Sequence, residues 1–185
     1  MKHSELNIFK ENGQKIACLT AYDASMAKLI DSAGVDIILI GDSLGMVIQG
    51  AENTRSVSMK DMLYHTEIVA KACKQALVIA DMPFHSYENA QTALANAKEL
   101  INNGANMVKL EGGSENTEVI NALVSNDINV CGHLGLQPQL VVDSSGYKVQ
   151  GRDEDSAKKI LDNAKLLESI GVSILVLECI PSNLA

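Results

Sequence analysis

Residues 35–50 read VDIILIGDSLGMVIQG. Four consecutive aliphatics, Ile37 to Ile40, run directly into Gly41, Asp42 and Ser43. A short, unbroken, β-branched run of this kind has the pattern of a parallel strand covered on both faces. A carboxylate and a hydroxyl would then emerge where the strand leaves the core. Taken alone, Asp and Ser after Gly are ordinary turn and capping residues. The rest of the chain decides between the two readings.

The same pattern recurs. Strands are expected at 15–20 (KIACLT), 36–40 (DIILI), 77–80 (LVIA), 107–110 (MVKL), 129–132 (NVCG) and 174–177 (ILVL). Between them, helical spacing runs over 24–33, 58–74, 88–102, 115–125 and 153–170. In the last of these, Ala157, Ile160, Leu161, Ala164 and Leu167 form an apolar stripe. The stretches SAGVD (32–36), NNGAN (102–106) and SIGVS (169–173) each place a glycine where a helix stops before the next strand. Strict alternation with short connections predicts a parallel sheet, either doubly wound or a (β/α)8 barrel. No glycine-rich nucleotide loop follows the first strand, so the barrel is favoured. Six strands fall short of eight, and such a barrel takes about 250 residues. The chain of 185 residues is therefore expected to be one barrel domain over 1–185, C-terminally incomplete.

Composition narrows the function. A hydrophobic fraction of 46% suits a folded globular chain. No apolar run reaches the roughly 18 residues that a membrane span needs. The N-terminal MKHSELNIFKENGQ lacks the apolar stretch of a secretory signal, which predicts the cytoplasm. Cys18, Cys73, Cys131 and Cys179 are widely spaced and are expected to be buried free thiols. A net charge of −8 and 3% aromatic content argue against nucleic acid or an anionic membrane as partner. A small anionic substrate held by a local cation stays open.

Each expected strand ends in chemistry. Asp42 and Ser43 follow the second strand and Asp81 the third. Lys109 and Glu111 close the fourth, His133 the fifth and Glu178 the sixth. Singly, each has an ordinary structural explanation, such as a turn aspartate, a snorkelling lysine or a core histidine. Together they do not, because charged residues rarely sit in apolar strands unless paired or metal-bound. Barrel active sites also lie at this end of the strands. Carboxylates without Cys or His neighbours suit a hard divalent cation, Mg2+ foremost, with Glu111 able to act through water. Lys109 suits a substrate carboxylate or a developing enolate oxygen, and Glu178 a general base. The residues alone predict metal-dependent enolate chemistry on a small 2-oxo acid.

The stretches TAYDASMAKLIDSAGVD, GDSLGMVIQG, DMLYHT, ADMPFHSY, GANMVKLEGG, CGHLGLQPQ, GYKVQGR and LVLECIP together resemble the ketopantoate hydroxymethyltransferase family, in its order and spacing. The resemblance implies a (β/α)8 TIM barrel of the phosphoenolpyruvate/pyruvate superfamily, assembled as a homodecamer. It implies transfer of a one-carbon unit from 5,10-methylenetetrahydrofolate to 3-methyl-2-oxobutanoate, giving 2-dehydropantoate for pantothenate synthesis. It further implies that Asp42 and Asp81 bind Mg2+ and the substrate, with Glu111 completing the metal site. Ser43 and Lys109 would hold the oxo acid, Glu178 would take the C3 proton, and His133 would lie near the substrate. This chain departs from the family pattern at TRSV (54–57), at QPQ (137–139) and at His85. Another Mg-dependent 2-oxo acid lyase or mutase, or a non-catalytic remnant, are the competing readings.

Overall fold

The computed structural model describes residues 3–142 and 146–185. Chain order gives helix α1 (His3–Glu11), strand β1 (Cys18–Thr20), helix α2 (Ala24–Ser32) and strand β2 (Ile37–Ile40). Then follow α3 (Leu44–Val47), α4 (Met59–Ala72), β3 (Leu77–Asp81), α5 (Ala90–Asn102) and β4 (Met107–Glu111). The chain continues through α6 (Thr117–Val124), β5 (Val130–Gly135), α7 (Glu154–Ser169) and β6 (Ile174–Glu178).

Among the described residues the six strands form one sheet in the order β1-β2-β3-β4-β5-β6, every pair parallel. Each crossover adds the next strand on the same side. A doubly wound sheet must instead reverse direction at a switch point. The topology is therefore that of a singly wound barrel, curled through six of its strands.

The pleat sorts side chains into two cores. Ile38, Ile40, Val78, Ala80, Val108, Leu110, Val130 and Leu134 face the helical layer. Ile37, Leu77, Ile79, Met107 and Cys131 face the barrel interior, joined there by Leu6. Helix α1 was not expected, because its sequence is polar and mixed in charge. It forms because Leu6 and Phe9, three residues apart on one helix face, enter the interior layer. Between β1 and β6 this interior opens into a cavity of about 370 Å³.

Local chemistry explains the helix ends. Ser58 and Asp61 make a reciprocal capping box that starts α4, and Asp23, Asn89 and Asp153 cap α2, α5 and α7. Gly34, Gly104 and Gly171 end α2, α5 and α7 with positive φ, as the sequence predicts. Asp31 is buried and accepts backbone hydrogen bonds from Lys74, Gln75 and Ala76 at 2.8–3.0 Å, tying α2 to the entry of β3.

Three expectations need correction. Residues 15–17 do not join β1, and all three are exposed, since β1 is an edge strand with β2 as its sole strand partner among the described residues. Leu161 is 43% exposed, outside the stripe by which α7 packs. All four cysteines are free, but only Cys131 is buried; Cys18 lies on that edge strand and Cys179 just beyond β6. Among the described residues no helix is long and apolar enough to cross a membrane.

Candidate active site

Strand register carries the expected residues to one end of the sheet. Asp81 pairs with Lys109, Glu111 with His133, and Gly135 with Glu178. Because side chains alternate, Asp81 follows Ile79 onto the interior face, and Lys109 and Glu111 follow Met107. His133 likewise follows Cys131. The upper layer of the interior is thus ionisable, above an apolar lower layer. Asp42, Asp81, Lys109, Glu111 and His133 are all 2–5% exposed.

The contacts form two linked groups. Lys109 Nζ lies 2.7 Å from Asp81 Oδ1, and the Asp42 backbone N–H donates to Asp81 Oδ2 at 3.0 Å. His133 stands between two carboxylates, with Nδ1 3.6 Å from Glu111 and Nε2 3.2 Å from Glu178. Ser43 shares a hydrogen bond of 2.6 Å with the Tyr22 hydroxyl. His65 Nδ1 donates to the Tyr22 carbonyl at 2.6 Å, holding the tyrosine backbone in place. Gly135, at φ +90°, lets β6 come close: a Cβ there would meet the Glu178 carbonyl oxygen at 2.1 Å. That glycine sets the position of the Glu178 backbone.

Sequence reasoning missed Gln139. It is 2% exposed in the short helical turn Pro138–Leu140, where its amide donates to Asp42 at 2.8 Å and its backbone N–H to Glu111 at 3.1 Å. Its position in a Pro-containing loop gave no periodic signal. Beside it, Phe84, His85, Tyr87, Glu111 and Gln137 line a cavity of about 220 Å³. Two of the family departures meet nearby, with Arg55 over one side of Phe84 at 4.2 Å and His85 packed on its ring at 3.8 Å.

The electrostatics follow from burial. Asp42 is pushed up to about 7, first by desolvation and then by the Asp81 charge. Glu111 is pushed up to about 8 by desolvation, with Asp42 and Asp81 adding to it. Burial works against the Lys109 ammonium, yet Asp81, Glu111 and Asp42 more than offset it, and its pKa rises. Three buried carboxylates face a single ammonium, so full ionisation would leave an unbalanced negative charge that a hard divalent cation fits. Among the described residues no three His, Cys, Asp or Glu side chains converge closely enough to hold an ion by themselves. A cation here would complete its shell with water and substrate oxygens, the usual habit of Mg2+.

Comparisons with known proteins bear on the family and the fold. The chain is 59% identical over its full length to a 3-methyl-2-oxobutanoate hydroxymethyltransferase of Ruthia magnifica subsp. Calyptogena magnifica, and it covers 71% of that relative. It is 52% identical over 182 residues to the Shewanella loihica protein of the same name, covering 98% of this chain and 69% of that one. In structure it is similar to phosphonopyruvate hydrolase solved with oxalate and Mg2+, with a TM-score of 0.73 and 16% identity, covering 96% of this chain and 63% of that one. It is also similar to 2,3-dimethylmalate lyase, of the PEP mutase/isocitrate lyase superfamily, with a TM-score of 0.69 and 17% identity, covering 95% of this chain and 62% of that one. These two likenesses show the barrel fold. The family model described as ketopantoate hydroxymethyltransferase matches residues 1–185, and the chain belongs to that family of transferases.

Proposed function

We propose that this site transfers a hydroxymethyl group to 3-methyl-2-oxobutanoate, the reaction for which the relatives are named. The observation that carries the reading is the buried layer of Asp42, Asp81, Lys109 and Glu111, adjoined through His133 by the half-exposed carboxylate of Glu178. One group of residues suits an anionic oxo acid and its counter-ion. The other offers a base open to a substrate carbon.

Asp42 and Asp81 would hold Mg2+, with Glu111 reaching it through water. A bound Mg2+ would supply stabilisation of negative charge on the substrate's oxo group. Lys109 and Ser43 orient the oxo acid through its oxygens, and the Tyr22 hydroxyl keeps Ser43 in place. Glu178 takes the proton from C3. The C–H electron pair moves into a C2–C3 double bond, and the carbonyl pair moves onto oxygen. His133 Nε2 lies 3.2 Å from Glu178, beside that carboxylate but without a formed hydrogen bond to it. Water hydrolyses the two C–N bonds of the methylene bridge of 5,10-methylenetetrahydrofolate, releasing formaldehyde. C3 attacks its carbon, the C=O pair moves onto oxygen, and that oxygen takes the proton held by Glu178. The products are 2-dehydropantoate and tetrahydrofolate. The cavity beside Phe84 and Tyr87, next to Glu111, would take one end of the larger co-substrate. By the same family reading the protein works in the cytoplasm on the route to pantothenate, as a homodecamer. Its net charge of −8 supports small-molecule partners over nucleic acid or membrane.

The test is NMR of 3-methyl-2-oxobutanoate in D2O with Mg2+ and no folate. Loss of the C3 proton signal is expected with this chain and not with Glu178→Gln. Exchange that persists in the Glu178→Gln variant would remove Glu178 as the base. A folded, Mg2+-loaded chain that gives no exchange would overturn the substrate assignment.

A further inference from the structure

Gln139 makes four polar contacts inside the site. Its Nε2 donates to Asp42 Oδ2 at 2.8 Å and to the Met82 carbonyl at 3.0 Å. Its Oε1 accepts from the Tyr87 hydroxyl, and its backbone N–H donates to Glu111 Oε2 at 3.1 Å. Turning the amide over would set its oxygen against the Met82 carbonyl, which only accepts, and against the ionised Asp42 carboxylate. One residue, through its side chain and its backbone N–H, therefore spans the ends of β2, β3 and β4 from the turn after β5.

We propose that Gln139 is a positioning residue that sets the geometry of Asp42 and Glu111 for a divalent cation. This rests on the Mg2+ reading above. A residue placed between two buried carboxylates could be cationic, and it would then cancel the charge that attracts the metal. The neutral side-chain amide orients Asp42 and the backbone N–H orients Glu111, and neither cancels a carboxylate's charge. The protein already uses one ammonium here, Lys109 on Asp81, and Gln139 supplies the remaining donors without a second positive charge. Asp42 Oδ2 is engaged by the amide and its backbone N–H by Asp81, so the residue is held at both side chain and backbone. Tyr87 acts one step further out, as the lock on the amide's orientation.

Mn2+ serves as the probe, with its dissociation constant read by electron paramagnetic resonance of the free ion. Unfolding is followed in parallel on the metal-free protein in EDTA. Gln139→Met, similar in length but unable to donate from its side chain, is expected to weaken Mn2+ binding tenfold or more. Tyr87→Phe keeps the donors but frees the amide, and a loss of about threefold is expected. Should Gln139→Met fail to fold, the Tyr87→Phe result decides. Mn2+ affinity within twofold of the parent in the folded variants, whatever their stability, would make Gln139 a structural amide and overturn the proposal. If the parent chain itself binds no Mn2+, the Mg2+ reading falls and this inference falls with it. Binding by the parent with unchanged variants removes the inference alone.

Discussion

Replacing Lys109 with methionine keeps the unbranched stem of the side chain and removes its charged terminal group. In the parent, Nζ lies 2.7 Å from Asp81, with the two side chains 6% and 4% exposed, so solvent screening is slight. Breaking a buried pair by removing one partner costs about 3–5 kcal/mol, because the other charge is left uncompensated. Asp42 and Glu111 also lose the cation that lowers their pKa values. For a chain of this size the loss corresponds to a fall in Tm of about 6–20 °C. The assay is urea unfolding by circular dichroism in EDTA, at pH 8 and at pH 5.5. At pH 5.5, below the values of about 7 and 8 for Asp42 and Glu111, those two groups hold protons, and less repulsion remains for the lysine to relieve. The destabilisation is expected to shrink to about 1–2 kcal/mol there. A loss under about 1 kcal/mol at pH 8 would be that of a solvated surface pair and would refute the reasoning. So would an equal loss at both pH values.

The metal-free parent should also lose stability as pH rises. The folded state holds protons on Asp42 and Glu111 that the unfolded chain releases near its ordinary carboxylate values, so their contribution is full below about pH 4 and is lost as pH climbs through about 7 and 8. A midpoint in urea that is flat or higher at pH 8.5 than at pH 6 would contradict this. Asp31→Ala removes the acceptor of three backbone N–H groups and is expected to cost about 2–4 kcal/mol, measured by urea unfolding. A cost under about 0.5 kcal/mol would mean that water replaces the carboxylate. Gly135→Ala forces a Cβ against the Glu178 carbonyl oxygen. It should lower C3 proton exchange at least tenfold in protein that remains folded, and parent-like exchange would show that β6 can shift without moving the base.

How much of this was legible in the sequence varies with the kind of signal. The strands were legible because two-sided burial demands unbroken aliphatic runs, as in Ile37–Ile40 and Leu77–Ala80. Their C-terminal limits were less so. Glu111, His133 and Glu178 lie inside the strands, since a charged residue that faces the barrel interior continues the pleat as readily as an aliphatic one. The charged candidates stood out because they interrupt apolar runs. Gln139, Tyr22 and Tyr87 did not, because a glutamine in a loop or a lone tyrosine breaks no pattern and becomes informative only once its partners are located. Helix α1 was hidden for a related reason: its two inserted side chains, Leu6 and Phe9, belong to a core that no local window contains.

The alternation of side chains across the sheet also bears on which sequence changes this chain can survive. Each of β3, β4 and β5 carries its ionisable residue two positions beyond an aliphatic, Met or Cys side chain on the same face. Deleting one residue within such a strand would exchange its two faces. A carboxylate or lysine would be thrust among the helices, and an aliphatic would enter the polar layer. One event would thus damage folding and chemistry together.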